Sequence, residues 1–568
     1  MIKKLAKKIM PVGSFRRKLA KKILVKLHLS SGLIIGYYNT WSQQHRESTP
    51  LEILENIQNG PLISIVVPAF NTPQRHLDAL LYSIVSQAYP NWELILVNAS
   101  DDPKYKKLID ECTSKDTRIK LIDVKNEGIS ENTNVGIKKS SGSYIAFVDH
   151  DDTLDPFALY EVALRITKEG AELIYSDEDK ISDDGEIFFD PHFKPDWSPD
   201  LLTHVNYINH LTVIKKELLL KVGLLNPERD GAQDYDLVLR ITDLNPVIRH
   251  VSKTLYHWRA ATGSTAYDFS SKKKVTDVAK VSLEEHFMRH NVKVKVTPKE
   301  NRPGFYSLRF NKPSEISVVI TPFASDALLR QFTELLVKRS MVNSVKIELI
   351  LPDGTQPRFE SEGLNVKSIA SDEHFLRNAI QVTSYPITVI INQIVLPISA
   401  EWLTQLCGPL SMEHVGAISP LIVRDGSIIE DCGVVLDSTG KLVPLFKDEP
   451  AFGNQTFFGN TDWVRDVDTL TGGVTVIRTE YLKSVKEISH TIPRFISDIC
   501  SDNKLNGKFN MILTDVVLDN YSIRLKPYFI KDTFFNSNLL VTGRDYEPYT
   551  PESAAINILT KKFDRELV

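Results

Sequence analysis

Asp149-His150-Asp151-Asp152 places three carboxylates directly after the apolar run Tyr144-Ile-Ala-Phe-Val148. A buried strand that ends in acids offers hard oxygen ligands at its mouth, the donor type that magnesium and manganese prefer. Such a cation is held by one or two carboxylates together with phosphate oxygens of a substrate. The chemistry on offer is therefore transfer away from a departing phosphate group. A second reading is purely local: Thr153 to Pro156 can open a helix at Phe157, with Asp152 or Asp155 as its cap. Polar residues also close two earlier apolar runs, at Ala69-Phe70-Asn71 and at Asn98 to Asp102.

The elements that must position these residues alternate along the chain. Ile63-Ser-Ile-Val-Val67 reads as a first strand, ending at Pro68, which cannot donate to a sheet ladder. Leu77, Leu80, Leu81, Ile84 and Val85 then recur at helical spacing. Further strands are predicted at Leu94 to Val97, Ile119 to Asp123 and Tyr144 to Val148, with a short helix ending over Gly136 to Lys139. Strands alternating with helices predict crossover units and a mainly parallel sheet, in which ligands bind beyond the carboxyl ends of the strands. The order then repeats. Glu315 to Pro322 echoes Leu62 to Pro68, Ile347 to Pro352 echoes Trp92 to Val97, and Pro386 to Asn392 stands where Tyr144 to Asp149 stood. A period of roughly 250 residues is a domain duplication and not a solenoid. Between the copies, Lys274 to Asn291 reads as a helix and Lys293 to Phe310 as a short extended linker.

From Pro61 to about Thr265 the chain resembles family 2 glycosyltransferases. The resemblance rests on Ile65-Val-Val-Pro-Ala-Phe-Asn71, on Asn126-Glu-Gly-Ile-Ser130 with Asn132 and Asn134, and on the acidic run at Asp149. It is completed by Tyr175-Ser-Asp-Glu-Asp-Lys180, His192-Phe-Lys-Pro-Asp-Trp197, Gln233-Asp-Tyr-Asp236 and Tyr256-His-Trp-Arg259. It implies an α/β fold of two tandem GT-A-like domains, Rossmann-related and with mainly parallel sheets. It also implies an inverting transfer from a nucleotide-sugar donor, with Mn2+ or Mg2+ as cofactor. Residue by residue, Pro68 and Phe70 would line the nucleotide loop, with Phe70 over the base and Asn98 at the base's edge. Asn134 and Asp149 would hold the nucleoside and ribose, and Asp151 the metal, assisted by His257. Asp234 sits in the slot of the catalytic base, Asp236 would orient its helix, and Arg259 would neutralise charge on the leaving group. The acceptor it implies is a glycan, free or lipid-linked, of the surface-polysaccharide kind such as O-antigen or capsule.

The second copy lacks these reagents. Its metal position reads Asn392-Gln393-Ile394, and aligning Asp498-Ile499-Cys500 with Asp236-Leu237-Val238 sets Ile496 opposite Asp234. It is expected to be a noncatalytic scaffold or glycan-holding module. The competing reading is a diverged site using Asp462, Asp466 or Asp468. For the whole chain, the competing class is a catalytically idle scaffold that binds glycan or nucleotide-sugar. Nucleotidyl transfer is disfavoured, because Ala69-Phe70-Asn71-Thr72 is no basic glycine-rich phosphate loop.

Composition bounds the rest. With 568 residues, 42% hydrophobic and 25% charged, the chain is expected to form two or three soluble domains. A net charge of -4 gives no reason to expect nucleic acid as a partner. Four cysteines without CxxC spacing suit a reducing compartment. Residues 1 to 28 carry ten lysines and arginines and no acid, with Leu5, Ile9, Phe15, Leu19, Ile23 and Leu27 at helical spacing. This predicts a basic amphipathic helix on an anionic membrane surface, and so a cytoplasmic protein peripheral on the inner face of the cell membrane. The expected divisions are 1-59, basic helical; 60-270, catalytic; 271-312, helix and linker; 313-545, degenerate copy; and 546-568, tail.

Overall fold

The computed structural model describes residues 60–520 together with Tyr38 and Ile57. Within that span it leaves out 103–104, 106–115, 261–268, 301, 341–344, 358–362, 398, 400, 437–440, 453–454, 457–458 and 489–490. The basic helix predicted over 1 to 28 and the tail from 546 lie outside the described residues. The chain divides into two compact units, Met1–Trp197 with Tyr207–Ala279, and Ser198–Asn206 with Lys280–Val568.

The first unit is built on one sheet. Its strands are β1 (Ile63–Ala69), β2 (Trp92–Asn98), β3 (Ile119–Asp123), β4 (Tyr144–Phe147), β5 (Thr153–Leu154), β6 (Leu173–Ser182), β7 (Phe188–His192), β8 (Thr212–Lys215) and β9 (Ile248–Ala260). The order is β3-β2-β1-β4-β8-β6-β9-β5, with β7 on the side of β6. β3, β2, β1 and β4 run parallel, β8 joins β4 and β6 antiparallel, and β9 returns parallel to β6. Central strands covered on both faces must be apolar throughout, which is why β1 and β2 read as continuous runs. The helices of this unit are α1 (Gln74–Val85), α2 (Ile129–Lys139), α3 (Ala158–Glu169), α5 (Lys216–Lys221) and α6 (Gln233–Thr242); α4 (Pro199–Leu202), between α3 and α5 in the chain, belongs to the second unit. α1 and α3 bury Leu77, Leu80, Ile84, Leu159 and Val162 in the apolar cluster over the sheet. α2 lies closer. A Cβ on its Gly136 would meet Val66 Cγ1 at 2.5 Å, so only glycine lets that helix approach β1.

The second unit starts in the long helix α7 (Phe269–Arg289), which crosses from the first. The segment read as an extended linker is instead a two-stranded antiparallel hairpin, β10 (Val294–Pro298) with β11 (Tyr306–Phe310). Then come β12 (Glu315–Ile320), β13 (Lys346–Pro352), β14 (Leu364–Ile369), β15 (Ile387–Ile391), β16 (Val395–Pro397), β17 (Val415–Arg424) and β18 (Ile428–Asp431). They are followed by β19 (Arg465–Val467), β20 (Val474–Arg478) and β21 (Phe509–Asn520). The sheet order is β14-β13-β12-β15-β20-β17-β21-β16, with β18 on β17 and β19 on β21. Strand for strand this is the order and direction of the first sheet, with β19 added. The fold class is therefore two tandem GT-A-like α/β domains.

Both sheets are tied in the same way at the amino-terminal ends of their parallel strands. In the first, Ser64 Oγ donates to Glu93 Oε1 at 2.6 Å and Lys120 Nζ to Glu93 Oε2 at 2.6 Å. The Gly142 amide reaches Ser64 Oγ at 2.8 Å. In the second, Ser317 Oγ donates to Glu348 Oε2 at 2.8 Å, Lys367 Nζ lies 2.5 Å from Glu348 Oε1, and the Ser384 amide reaches Glu348 Oε2 at 2.8 Å. Burial alone would raise the Glu93 carboxyl, but bonds from Lys120, Ser64 and Ser141 bring it down to about 2.

Candidate active site

The opposite, carboxyl ends of the first unit's strands carry the acidic loop. Asp149, two residues past β4, keeps its side chain 43% exposed. Asp152 is fully buried, and its carboxylate accepts from the Tyr256 hydroxyl at 2.5 Å and from the Arg259 amide at 2.7 Å. Burial first, then the charges of Asp149 and Asp151, push the Asp152 carboxyl well above the usual carboxylate range. Asp152 is thus neither a helix cap nor a ligand but the anchor that folds the loop onto β9. The Asp149 amide also donates to the Tyr256 hydroxyl, at 3.2 Å.

Arg259 locks the loop from the other side. Its Nε donates to the Asp151 carbonyl at 2.6 Å, and its Nη1 to the carbonyls of Ser182 and Asp183 at 3.3 and 3.0 Å. At 3% exposure it braces the loop from within. His257 pairs across strands with Thr153, the residue that follows the acidic loop. It is 1% exposed, and its Nδ1 lies 2.5 Å from Asp179 Oδ1, while the Tyr38 hydroxyl donates to Asp179 Oδ2 at 2.7 Å. This imidazole is part of a buried Tyr–Asp–His set on β9.

The two asparagines expected on the nucleoside are hydrogen-bonded within the protein. Asn98 is 2% exposed; its Nδ2 donates to Asp123 Oδ1 at 2.9 Å and its Oδ1 accepts from the Ser100 amide at 3.1 Å. Asn134 clamps Leu225, donating to its carbonyl at 2.9 Å and accepting from its amide at 3.0 Å. Each amide is thereby tied through its nitrogen and its oxygen, Asn98 at the strand tips and Asn134 between α2 and Leu225. The exposed polar group that Asn98 presents at the tip of β3 is Asp123. Phe70 stands 42% exposed after β1, and half-buried Pro68 pairs with Val97.

Asp234 lies in the first turn of α6. Two residues on, Asp236 is 2% exposed and bound through Oδ2 by Arg240, whose Nε and Nη2 approach at 2.9 and 2.5 Å. That pair fixes the helix. Asp234 Oδ2 accepts from Asn209 Nδ2 at 2.5 Å. The next residue, His210, stacks on Tyr256 with ring centroids 4.9 Å apart, and its Nε2 lies 3.9 Å from Asp149 Oδ2. Its backbone is pinned by Glu178 and Lys194: Glu178 Oε2 accepts from its amide at 2.5 Å, and Lys194 Nζ donates to its carbonyl at 2.5 Å. Burial alone would raise Glu178, but Lys194, His192 and His210 bring it down to about 2. The Asn209-His210 step therefore spans from the acidic loop to Asp234, because β8 pairs with β4 at Thr212↔Phe147. Sequence reasoning missed it. Its only signal was a polar pair just before a strand that enters beside β4.

Asp149 and Asp151 fit a divalent cation by donor type. They are oxygen donors on one loop, and their charges are strong enough to raise a neighbouring carboxyl. In the second unit, register sets Ile145 and Thr388 in equivalent places beside Ser64 and Ser317, and so Asn392 in the place of Asp149. The Asn392 amide donates to the Gly473 carbonyl at 2.8 Å, and its Oδ1 accepts from Thr321 Oγ1 at 2.6 Å. Ile496 is fully buried among Phe495, Ile499 and Cys500. Asp462 pairs with Arg302, Asp466 accepts from Ser198 Oγ at 2.7 Å, and Asp468 pairs with Lys504.

Residues 64–222 match the profile of Glycosyl transferase family 2. The uncharacterized protein y4gI of Sinorhizobium fredii is 32% identical over 411 residues, covering 68% of this chain and 45% of that one. The O-antigen biosynthesis protein RfbC of Myxococcus xanthus is 29% identical over 480 residues, 82% of this chain and 37% of its own length. The hyaluronan synthase of Pasteurella multocida is 23% identical over 215 residues, 38% and 22% of the two chains. This chain spans less than half the length of each of these relatives.

Proposed function

From the family 2 glycosyltransferase domain that this chain carries, we propose that it moves a sugar from a nucleotide-sugar donor to a hydroxyl of a surface-polysaccharide acceptor, with inversion at the anomeric carbon. The observation that carries the reading is the meeting of the acidic loop and Asp234 across the Asn209-His210 step. Asp149 and Asp151 would hold a divalent cation, which supplies charge neutralisation to the diphosphate. Asp234 takes the proton of the acceptor hydroxyl as its oxygen bonds to the anomeric carbon. The bond from that carbon to the phosphate oxygen breaks on the other face, and its electron pair leaves with the nucleoside diphosphate. Phe70, after β1, and Asp123, at the tip of β3 on the far side of β2, are placed for the nucleoside. The similarity to an O-antigen biosynthesis protein and to a hyaluronan synthase supports a polysaccharide acceptor, and we extend this to a lipid-linked one. Among the described residues no helix is long and apolar enough to cross a membrane. The ten basic residues and absent acids of residues 1 to 28 support attachment to an anionic inner membrane face.

The test is a screen of nucleotide-sugars with purified protein, manganese and glycan acceptors, read as product formation. One donor is expected to give transfer that Asp234→Asn reduces by orders of magnitude while nucleotide affinity holds. Undiminished transfer by that variant removes Asp234 from the mechanism. Nucleotide-sugar binding without turnover on any acceptor would favour an idle scaffold.

A further inference from the structure

A base on the first turn of a helix is placed by the backbone, but its carboxylate still turns about two side-chain bonds. We propose that Asn209 is the positioning residue that aims Asp234, and that Thr212 in turn fixes the Asn209 amide. The inference rests on the reading of Asp234 as the base.

The geometry orders the three groups. Thr212 Oγ1 donates to Asn209 Oδ1 at 2.6 Å, and Asn209 Nδ2 donates to Asp234 Oδ2 at 2.5 Å. A hydroxyl donating to the amide oxygen leaves the NH2 end facing the carboxylate, so the amide has one orientation that satisfies both partners. The bond to a charged acceptor is of the stronger kind. Thr212 is 3% exposed on β8 and pairs with Phe147, two residues before Asp149. The base is thereby referenced to the same strand pair that carries the acidic loop. A sheet register becomes the ruler between the group that takes the proton and the group that faces the diphosphate. Tenths of an ångström matter at this point, since reacting atoms must meet at near-contact distance. The neighbouring His210, pinned by Glu178 and Lys194 and stacked on Tyr256, holds the backbone of the step in place.

The experiment uses the full chain, the donor found by the screen, and single-turnover transfer beside calorimetric titration of nucleoside diphosphate with manganese. Asn209→Ala is expected to lower kcat by about 10- to 100-fold with the donor KM and nucleotide affinity unchanged. Thr212→Val falls in the same direction, and Thr212→Ser, which keeps the hydroxyl, recovers most of that loss. Asn209→Asp sets a second carboxylate against Asp234; like charges favour uptake of a proton, so the acid limb of the pH–rate profile moves to higher pH. This nearly isosteric variant carries the test if Asn209→Ala melts early. Wild-type kcat and an unmoved pH profile in the Asn209 variants, alongside an inactive Asp234→Asn, overturn the positioning role. Thr212→Ser as slow as Thr212→Val removes Thr212 from it. An active Asp234→Asn is a different failure, that of the base itself.

Discussion

Three carboxylates within four residues of one loop repel one another, and burial sorts them by role. Asp149 stays open to solvent, whereas Asp152 is enclosed and is held by a tyrosine hydroxyl and a backbone amide. Because the folded protein raises the Asp152 carboxyl, the folded state binds its proton more tightly than the unfolded chain does. Its contribution to stability is complete below the unfolded value of 3.8 and is lost as pH rises through the raised folded value. Asp152→Asn removes that loss. Relative to wild type, the variant should gain stability progressively as pH is raised from about 4 towards neutrality without divalent cation. Thermal unfolding across that range checks it, and a pH-independent difference between the two proteins refutes it. Asp151→Asn removes one of the charges that raise Asp152, so it should weaken this pH dependence without abolishing it, and lose manganese-dependent nucleotide affinity by an order of magnitude or more. That loss is read by titration calorimetry.

At the scale of elements, α2 begins with no cap of its own. Asp230, from the loop before α6, supplies one: its Oδ1 accepts from the Ser130 amide at 3.2 Å and from the Ser130 hydroxyl. Gly128 makes room, with φ of +100° and a would-be Cβ 2.5 Å from Asp230 Oδ2. Gly128→Ala therefore meets both a strained backbone and a carboxylate, and should destabilise by about 2 kcal/mol. Asp230→Ala should lose about 1 kcal/mol, the worth of a cap. Urea midpoints check both, and equal midpoints for Gly128→Ala and wild type would discard the argument. Such cross-chain devices explain what was legible in the sequence. The central strands were, because burial on both faces writes them as apolar runs. So were the duplication and the acidic loop. The short antiparallel strands β5, β7 and β16 and the hairpin β10–β11 were not, since a few residues carry no period. Asn98 and Asn134 were singled out, yet an amide serves a backbone as readily as a ligand, and spacing does not distinguish the two. Asn209 and His210 gained meaning only when β8 was seen to enter beside β4.

For the molecule as a whole, the two sheets share a topology and a serine–glutamate–lysine tie at the ends of their strands, while at the other rim the acidic run Asp149-His150-Asp151 of the first has Asn392-Gln393-Ile394 in its place in the second. Glu93 is the better-defined tie. Its folded value of about 2 against an ordinary 4.5 gives stability that is present above 4.5 and is lost as pH falls towards 2. That difference is on the order of 3 kcal/mol. Glu93→Gln should flatten this acid sensitivity in the first unit and leave the second untouched; Glu348→Gln should do the reverse. Hydrogen-exchange mass spectrometry reports each unit separately, and acid sensitivity that persists in the first unit of Glu93→Gln would place its origin elsewhere. The floor ties also bear on how such a chain changes over generations. Foldedness is secured at one end of each sheet and chemistry is exposed at the other, so mutational drift can erase a reagent without passing through an unfolded ancestor. A spare copy can be retired, kept as ballast, and re-armed later from the rim alone.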